Sequence, residues 1–234
     1  MRRVLITGAN RGLGLEFVRQ CLARGDRVFA GCRNPAKATA LQALSADHPG
    51  QLTIPPLDVT DEETIAACVE AIRSQVGGLD LLINNAGIYP RGETPTTLNA
   101  DTMLRAFHVN AVGPMIVAKH CLDLLRAGDH PKIVNISSKM GSLWWKEREG
   151  GGDYSYCSSK AALNMLTRTL AFDLRSDGII VVALNPGWVQ TDMGGSNADL
   201  TPAESVCGML EVIERLTESD SSKFFTWEGK EHPW

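Results

Sequence analysis

Short apolar runs recur along this chain at intervals that leave room for one helix between each pair, and that rhythm restricts the fold more than any other feature. Residues 4–7, 27–31, 52–57, 79–84, 132–137, 179–184 and 223–227 form these runs. Between them lie stretches with helical periodicity, over about 12–24, 35–46, 61–76, 101–125, 154–175 and 202–217. Two runs, Leu79-Asp80-Leu81-Leu82-Ile83 and Ile179-Ile180-Val181-Val182-Ala183-Leu184, are nearly continuous rather than alternating in apolar residues. Such a strand is buried on both faces, the condition of a parallel sheet covered by crossover helices. The sequence therefore predicts an α/β, doubly wound three-layer sandwich with about seven parallel strands.

At 234 residues, 44% of them hydrophobic, the chain is long enough for one sizeable core and short for two, so one domain over 1–234 is expected. The glycine cluster Gly150-Gly151-Gly152 reads as a loop inside that domain. A formal net charge of -4 provides no basic field, which argues against nucleic acid and anionic membrane as partners and leaves small molecules. Arg3-Val4-Leu5-Ile6-Thr7 enters a strand at once, with no secretory signal pattern ahead of it, and the 179–184 run is too short to cross a bilayer. The cysteines (21, 32, 68, 121, 157, 207) show no Cys-x-x-Cys spacing and the histidines no paired ligand pattern. Reduced thiols in a cytoplasmic protein without a metal site are the expectation.

Directly after the first run stands Thr7-Gly8-Ala9-Asn10-Arg11-Gly12-Leu13-Gly14, a glycine-rich turn that opens a helix. Glycines let backbone approach a pyrophosphate closely, and a helix N-terminus offers unpaired N–H groups with partial positive charge. A dinucleotide cradle is the reading, with a tight structural turn as its rival. Sites that prefer NAD often carry a carboxylate after the second strand, but here that region reads Phe29-Ala30-Gly31-Cys32-Arg33. Arg33 and Arg11 would instead grip the 2'-phosphate of NADP(H), so NADP(H) is preferred to NAD(H). Asp58 is placed to accept from an adenine amino group or, equally, to cap the next helix, where Thr60 and Asp61 compete. Asn84-Asn85-Ala86-Gly87 closes the fourth strand; the small Ala86 and Gly87 would let backbone meet a ligand, or the segment is equally a structural turn.

Tyr156 and Lys160, four residues apart in a helical stretch, project a phenol and an ammonium from one face. A fixed positive charge favours the phenolate, so the pair can serve as a proton donor and acceptor.

Taken together, these motifs resemble the short-chain dehydrogenase/reductase family over nearly the whole chain. The resemblance rests on Thr7-Gly8, Gly12 and Gly14, Asn84-Asn85-Ala86-Gly87, Asn110, Ser138, Tyr156 with Lys160, and Pro186-Gly187 with Thr191, in that order. The stretch from Pro186 to Gly195 and the ending Phe224-Phe225-Thr226-Trp227-Glu228-Gly229-Lys230-Glu231-His232-Pro233-Trp234 are similar to C-factor-like and sniffer-like carbonyl reductases. The resemblance implies a Rossmann-type fold and hydride transfer between NADP(H) and a carbonyl or alcohol. It implies Tyr156 as the acid or base, Ser138 holding the substrate oxygen, Lys160 binding ribose and tuning Tyr156, and Asn110 holding a water in a proton relay. Taken by itself Asn110 reads as a satisfied buried amide, and Gly113 with Pro114 predicts a local distortion of its helix. It also implies cofactor contacts from Gly8, Asn10, Arg11, Gly12, Leu13 and Gly14, then Arg33, Asp58 and Val59, then Asn85, Ala86 and Gly87. Tyr156, Lys160, Pro186, Gly187, Val189 and Thr191 complete that set.

One departure from the family pattern concerns Ser138, which precedes Tyr156 by 18 positions because 144–153 lengthens the intervening loop. Aligning forward from Ile133-Val134-Asn135-Ile136 assigns the role to Ser138, with Ser137 as rival. Tyr154 is a rival phenol on a different helical face from Lys160. Trp144, Trp145, Trp188, Tyr89 and Met193 are candidate apolar walls of a shallow substrate pocket. A homodimer or homotetramer through the 101–125 and 154–175 helices is expected from the resemblance. The alternative from another class is a dinucleotide-binding signalling or regulatory protein with little turnover.

Overall fold

Seven parallel strands line up in the order β3-β2-β1-β4-β5-β6-β7: β1 Arg3–Thr7, β2 Arg27–Gly31, β3 Leu52–Thr53, β4 Leu81–Asn84, β5 Lys132–Ile136, β6 Ile180–Asn185 and β7 Phe224–Thr226. The computed structural model describes residues 1–149 and 151–234, save the side chains of residues 148 and 149. Helices α1 Gly12–Ala23, α2 Thr39–Asp47 and α8 Pro202–Arg215 cover one face, where Phe17, Val18, Leu41, Met209 and Ile213 pack on Val4, Ile6 and Val134. Helices α3 Glu62–Arg73, α5 Gly113–Arg126 and α7 Tyr154–Asp173 cover the other, with Ile65, Val117, Leu124 and Ala171 against Leu5, Leu82 and Ile133. Alternate residues of one strand serve opposite cores, which is why the apolar runs are continuous.

The chain leaves β3 at one edge and returns to pair β4 on the far side of β1. Strand order reverses there, and the carboxyl ends of β1 and β4 diverge into a crevice. The glycine turn and Asn84-Asn85-Ala86-Gly87 both open on it.

Several elements differ from the sequence reading. The third strand stops at Thr53 instead of residue 57, because Pro55 and Pro56 have no N–H for a ladder; a single bridge, Cys32 to Pro56, continues the pairing. The second helix divides into a short 3-10 turn, Pro35–Lys37, and α2. The expected helix over 101–125 is three pieces: α4 Ala100–Phe107, a π-helical segment His108–Val112, and α5. Pro114 explains the break, since it lacks the N–H that the carbonyl of Asn110 would accept and its ring crowds that carbonyl. The lengthened 144–153 loop contains a helix, α6 Leu143–Glu149, started by Ser142, whose hydroxyl accepts from the Trp145 N–H at 3.3 Å. Of the glycine cluster there, Gly150 lies outside the described residues.

Asp61 wins the contest to cap α3: its Oδ1 accepts from the N–H groups of Glu63 at 3.0 Å and Thr64 at 3.2 Å. Replacing Asp61 with Ala should cost about 1 kcal/mol in chemical denaturation and leave dinucleotide affinity unchanged; a matching fall in affinity would tie the cap to the crevice.

Candidate active site

Thr7 and Asn85 fasten the two turns of the crevice together. The Thr7 hydroxyl oxygen accepts from the N–H groups of Asn85 and Ala86, both at 3.0 Å, and the Asn85 amide donates to the carbonyls of Thr7 at 2.9 Å and Gly8 at 3.2 Å. Gly8 has φ +63, and a Cβ on it would fall 2.9 Å from Ala86 Cα; one on Gly14 would fall 2.3 Å from the Gly8 carbonyl oxygen. Neither position admits a larger residue without moving backbone. Helix α1 starts at Gly12 with no side-chain cap and no acid in its first turn, so its N-terminal N–H groups face the crevice uncompensated. That donor set fits a pyrophosphate.

At the adenine end, Arg33 is exposed after β2 and acts on the Asp58 carboxyl. Burial raises the Asp58 pKa, but hydrogen bonds from the Thr60 N–H and hydroxyl, with Arg33 and His108, outweigh it and hold the pKa below the usual value. Asp58 caps no helix; its Oδ1 accepts from Thr60 at 3.0 and 2.8 Å. Val59 is buried, with its backbone where a Cβ on Gly113 would strike, which brings the start of α5 close behind this end. Asn10 is exposed and Leu13 leans on the α1 core. Arg11, 70% exposed, crosses the crevice to pair with Asp192 at 3.1 Å, so Arg11 and Arg33 engage different carboxylates.

Beyond β6, Gly187 has φ +79, and the Pro186 carbonyl accepts from the Ser205 hydroxyl at 2.6 Å. Val189 bridges to Leu200, and Thr191 turns back so that its Cγ2 would lie 3.5 Å from a Cβ on Gly12. This segment and the glycine turn thus form opposite lips of one crevice.

At its floor, Tyr156 and Lys160 project from α7 as the spacing predicts. Lys160 Nζ lies 5.8 Å from the Tyr156 ring centre and donates to the Ile136 carbonyl at 2.7 Å. The Ser138 hydroxyl oxygen accepts from the Met140 N–H at 3.2 Å, and the Ser138 side chain acts on the Tyr156 phenol, opposing the rise that burial gives its pKa. Ser137 faces away, buried and donating to Asn164 Oδ1 at 2.6 Å, which removes it as rival to Ser138. The Asn110 side chain is fully buried: its Oδ1 accepts from Ile88 N–H at 2.8 Å, and its Nδ2 donates to the Ile88 carbonyl at 2.9 Å and Ser159 Oγ at 3.0 Å. A water-holding role therefore does not fall to that amide. The group left over is the Asn110 carbonyl, which Pro114 deprives of a helical donor.

The walls are divided among the expected aromatics. Tyr89 lies against Tyr156 with ring centres 4.4 Å apart, whereas Trp144 and Trp145 pack edge to face at 5.3 Å and Trp145 continues to His232. Trp188 donates to the Gly194 carbonyl at 2.8 Å and remains half exposed, as does Met193. Ser205, Ser159 and Glu93 carry no local signal in the sequence, because they contact the site across long sequence separations.

The family model for short chain dehydrogenases matches residues 2–200. This chain belongs to the short-chain dehydrogenase family of oxidoreductases. Among solved relatives, a carbonyl reductase from chicken fatty liver, bound to NADPH, is 42% identical with a TM-score of 0.93, covering 100% of this chain and 99% of its own. The carbonyl reductase Sniffer of D. melanogaster is 34% identical with a TM-score of 0.95, covering all of both chains. C-signal of Myxococcus xanthus is 44% identical over 158 residues, 68% of this chain and 94% of that protein. No helix among the described residues is long and apolar enough to cross a membrane.

The electrostatics of this dehydrogenase's floor are set by burial. Burial pushes the Tyr156 phenol up to about 12, against the opposing hydrogen bond from Ser138. It also brings the Lys160 ammonium down to about 8. The expected lowering of Tyr156 by Lys160 is not what dominates here, because the ammonium is aimed at the Ile136 carbonyl and is itself driven toward neutrality. Between about pH 8 and the ordinary lysine value of 10.5, folded Lys160 has released its proton while the unfolded chain keeps it, so stability rises with pH. The stability difference between wild type and Lys160→Met should rise across that window by on the order of 2 kcal/mol in denaturation experiments; a difference flat with pH would contradict it.

Proposed function

We propose that this chain is a cytoplasmic, NADP(H)-preferring carbonyl reductase or alcohol dehydrogenase. The observation that carries the proposal is the convergence of Tyr156, Ser138 and Lys160 at one crevice floor, beside two turns that admit close backbone approach. The dinucleotide, when bound, supplies or takes up the hydride. Gly8, Asn10, Gly12, Leu13 and Gly14 hold its phosphates, Arg33 and Arg11 its 2'-phosphate, and Asp58 with Val59 its adenine. Asn85, Ala86, Gly87 and the lip of Pro186, Gly187, Val189 and Thr191 hold the nicotinamide half.

Tyr156 gives its proton to the carbonyl oxygen in reduction and takes one from the alcohol in oxidation. Burial keeps that proton on the phenol near neutrality, which suits the reductive direction. Ser138 donates to the same oxygen. Lys160 binds ribose hydroxyls and passes protons toward a water held by the Asn110 carbonyl. The preference for NADP(H) is supported by the exposed Arg33 after β2 and by the NADPH-bound chicken relative. The likeness to C-signal supports a second reading, a dinucleotide-binding regulatory protein with little turnover. The intact proton-donating trio favours the enzyme, since a sensor needs no acid. A dimer or tetramer is supported by Leu104, Val112, Met165 and Phe172, apolar side chains left exposed along α4, the π-helical segment and α7.

With a panel of aldehydes, ketones and quinones, wild type should oxidise NADPH and bind it more tightly than NADH. Tyr156→Phe should lose about a hundredfold or more in kcat, and Arg33→Asp should reverse the cofactor preference. Equal rates for wild type and Tyr156→Phe would remove the phenol from the mechanism, and no turnover by either would favour the regulatory reading. In sedimentation, Phe172→Glu with Met165→Glu should dissociate the assembly; a monomeric wild type would refute it.

A further inference from the structure

Asp153 immediately precedes α7, where an aspartate ordinarily accepts from the first free N–H groups of a helix. It does not do so here. Its backbone is left-handed, with φ 52 and ψ 41, and its side chain makes no capping hydrogen bond. Instead its Oδ2 accepts from the Tyr89 hydroxyl at 2.9 Å. A left-handed conformation in a residue other than glycine is uncommon and needs surrounding contacts to hold it.

The missing cap comes from a distant part of the chain. Glu93, in the loop between β4 and α4, is 8% exposed, and its Oε2 accepts from the Ser155 N–H at 2.7 Å while its Oε1 accepts from the Ser155 hydroxyl. Ser155 is fully buried and adjoins Tyr156. A carboxylate at this end of a helix also meets the positive end of the backbone dipole. The same loop is held at Ile88 by both ends of the Asn110 amide, at 2.8 and 2.9 Å, and it lays the Tyr89 ring on the Tyr156 ring. One strap thus grips the first turn of α7 through Asp153 and Ser155, on either side of Tyr154, and ends against the phenol itself.

We propose that Glu93 is a positioning residue for Tyr156: its hydrogen bonds to Ser155 hold the first turn of α7, and with it the phenol, in line with the substrate oxygen. The catalytic meaning of this device rests on the oxidoreductase reading above; the structural part does not. Glu93 touches no reacting atom and acts through Ser155. Asp153, released from capping, locks Tyr89, so that substrate wall and proton donor are set by one loop.

The test compares wild type, Glu93→Ala, Glu93→Gln and, as a control destabilised elsewhere, Asp61→Ala. Two readouts are taken: amide hydrogen exchange over residues 154–157, which requires no activity, and steady-state kinetics alongside NADPH titration. Glu93→Ala should speed exchange over 154–157 and lower kcat by about tenfold to a hundredfold, with NADPH affinity changed by less than about twofold. Glu93→Gln keeps an oxygen for the Ser155 N–H and an NH2 group for its hydroxyl, so it should restore slow exchange and most of kcat. Asp61→Ala should change neither. Unchanged exchange over 154–157 in Glu93→Ala would overturn the proposal whether or not the protein turns over. So would a glutamine variant as damaged as alanine, or losses of kcat and NADPH affinity in parallel. If wild type shows no turnover, the oxidoreductase reading fails and hydrogen exchange alone decides the role of Glu93. If Glu93→Ala does not fold, Glu93→Gln against Ser155→Ala supplies the comparison, with faster exchange expected only in the serine variant and equal exchange in both overturning the proposal.

Discussion

The crevice depends on how closely the turn after β1 approaches the turn after β4. With Thr7 accepting from two backbone N–H groups of the neighbouring turn and Asn85 donating back to two carbonyls, four polar groups that strand pairing leaves over are satisfied at once. The approach needs Gly8 in a left-handed conformation and no side chain on Gly14. It draws the N-terminus of α1 to the centre of the sheet edge, where its uncapped N–H groups meet the point of strand reversal. The crevice is therefore the fold's own topological opening, kept narrow by two glycines.

A second constraint shapes the half of the crevice around Tyr156. Pro114 cannot complete the helical bond to the Asn110 carbonyl, and the chain answers with a π-helical segment. The wider turn sends the Asn110 side chain to Ile88, which anchors the loop that carries Tyr89 and Glu93 to α7. Two helices and one loop thereby share their polar groups around Tyr156, while Lys160 is held from the strand side by the Ile136 carbonyl. Burial has opposite effects on the two ionisable groups, pushing the phenol up and the ammonium down, so both favour their neutral forms more than they would in water.

The α/β alternation, parallel sheet and glycine turn were legible because they follow from patterns a few residues long, with Asn85, Ser138, Tyr156 and Lys160 found at strand ends or helix faces where such patterns lead. Element ends were less legible. The third strand ends at Thr53, short of residue 57, because Pro55 and Pro56 continue the apolar run but lack the N–H groups a ladder needs. The helix over 143–149 stands inside the expected loop; Ser142 and the run Lys146-Glu147-Arg148-Glu149 are ordinary signs of a helix start and body. The choice between Ser137 and Ser138 needed Asn164, whose amide claims Ser137 from another helix.

By itself the sequence determined the order of strands and helices, the backbone turns that only glycine allows, and the pairing of a phenol and an ammonium on one helical face. These are local consequences of side-chain shape, backbone freedom and period. The tertiary structure decided which groups stay charged, which carboxylate caps which helix, and what presses on the phenol. Glu93 and Ser155 are far apart in sequence and touch only after the sheet has closed, and the Tyr156 and Lys160 pKa values depend on how much protein surrounds them. Desolvation and long-range hydrogen bonding have no period and leave no local signature, so those properties first exist in the folded molecule.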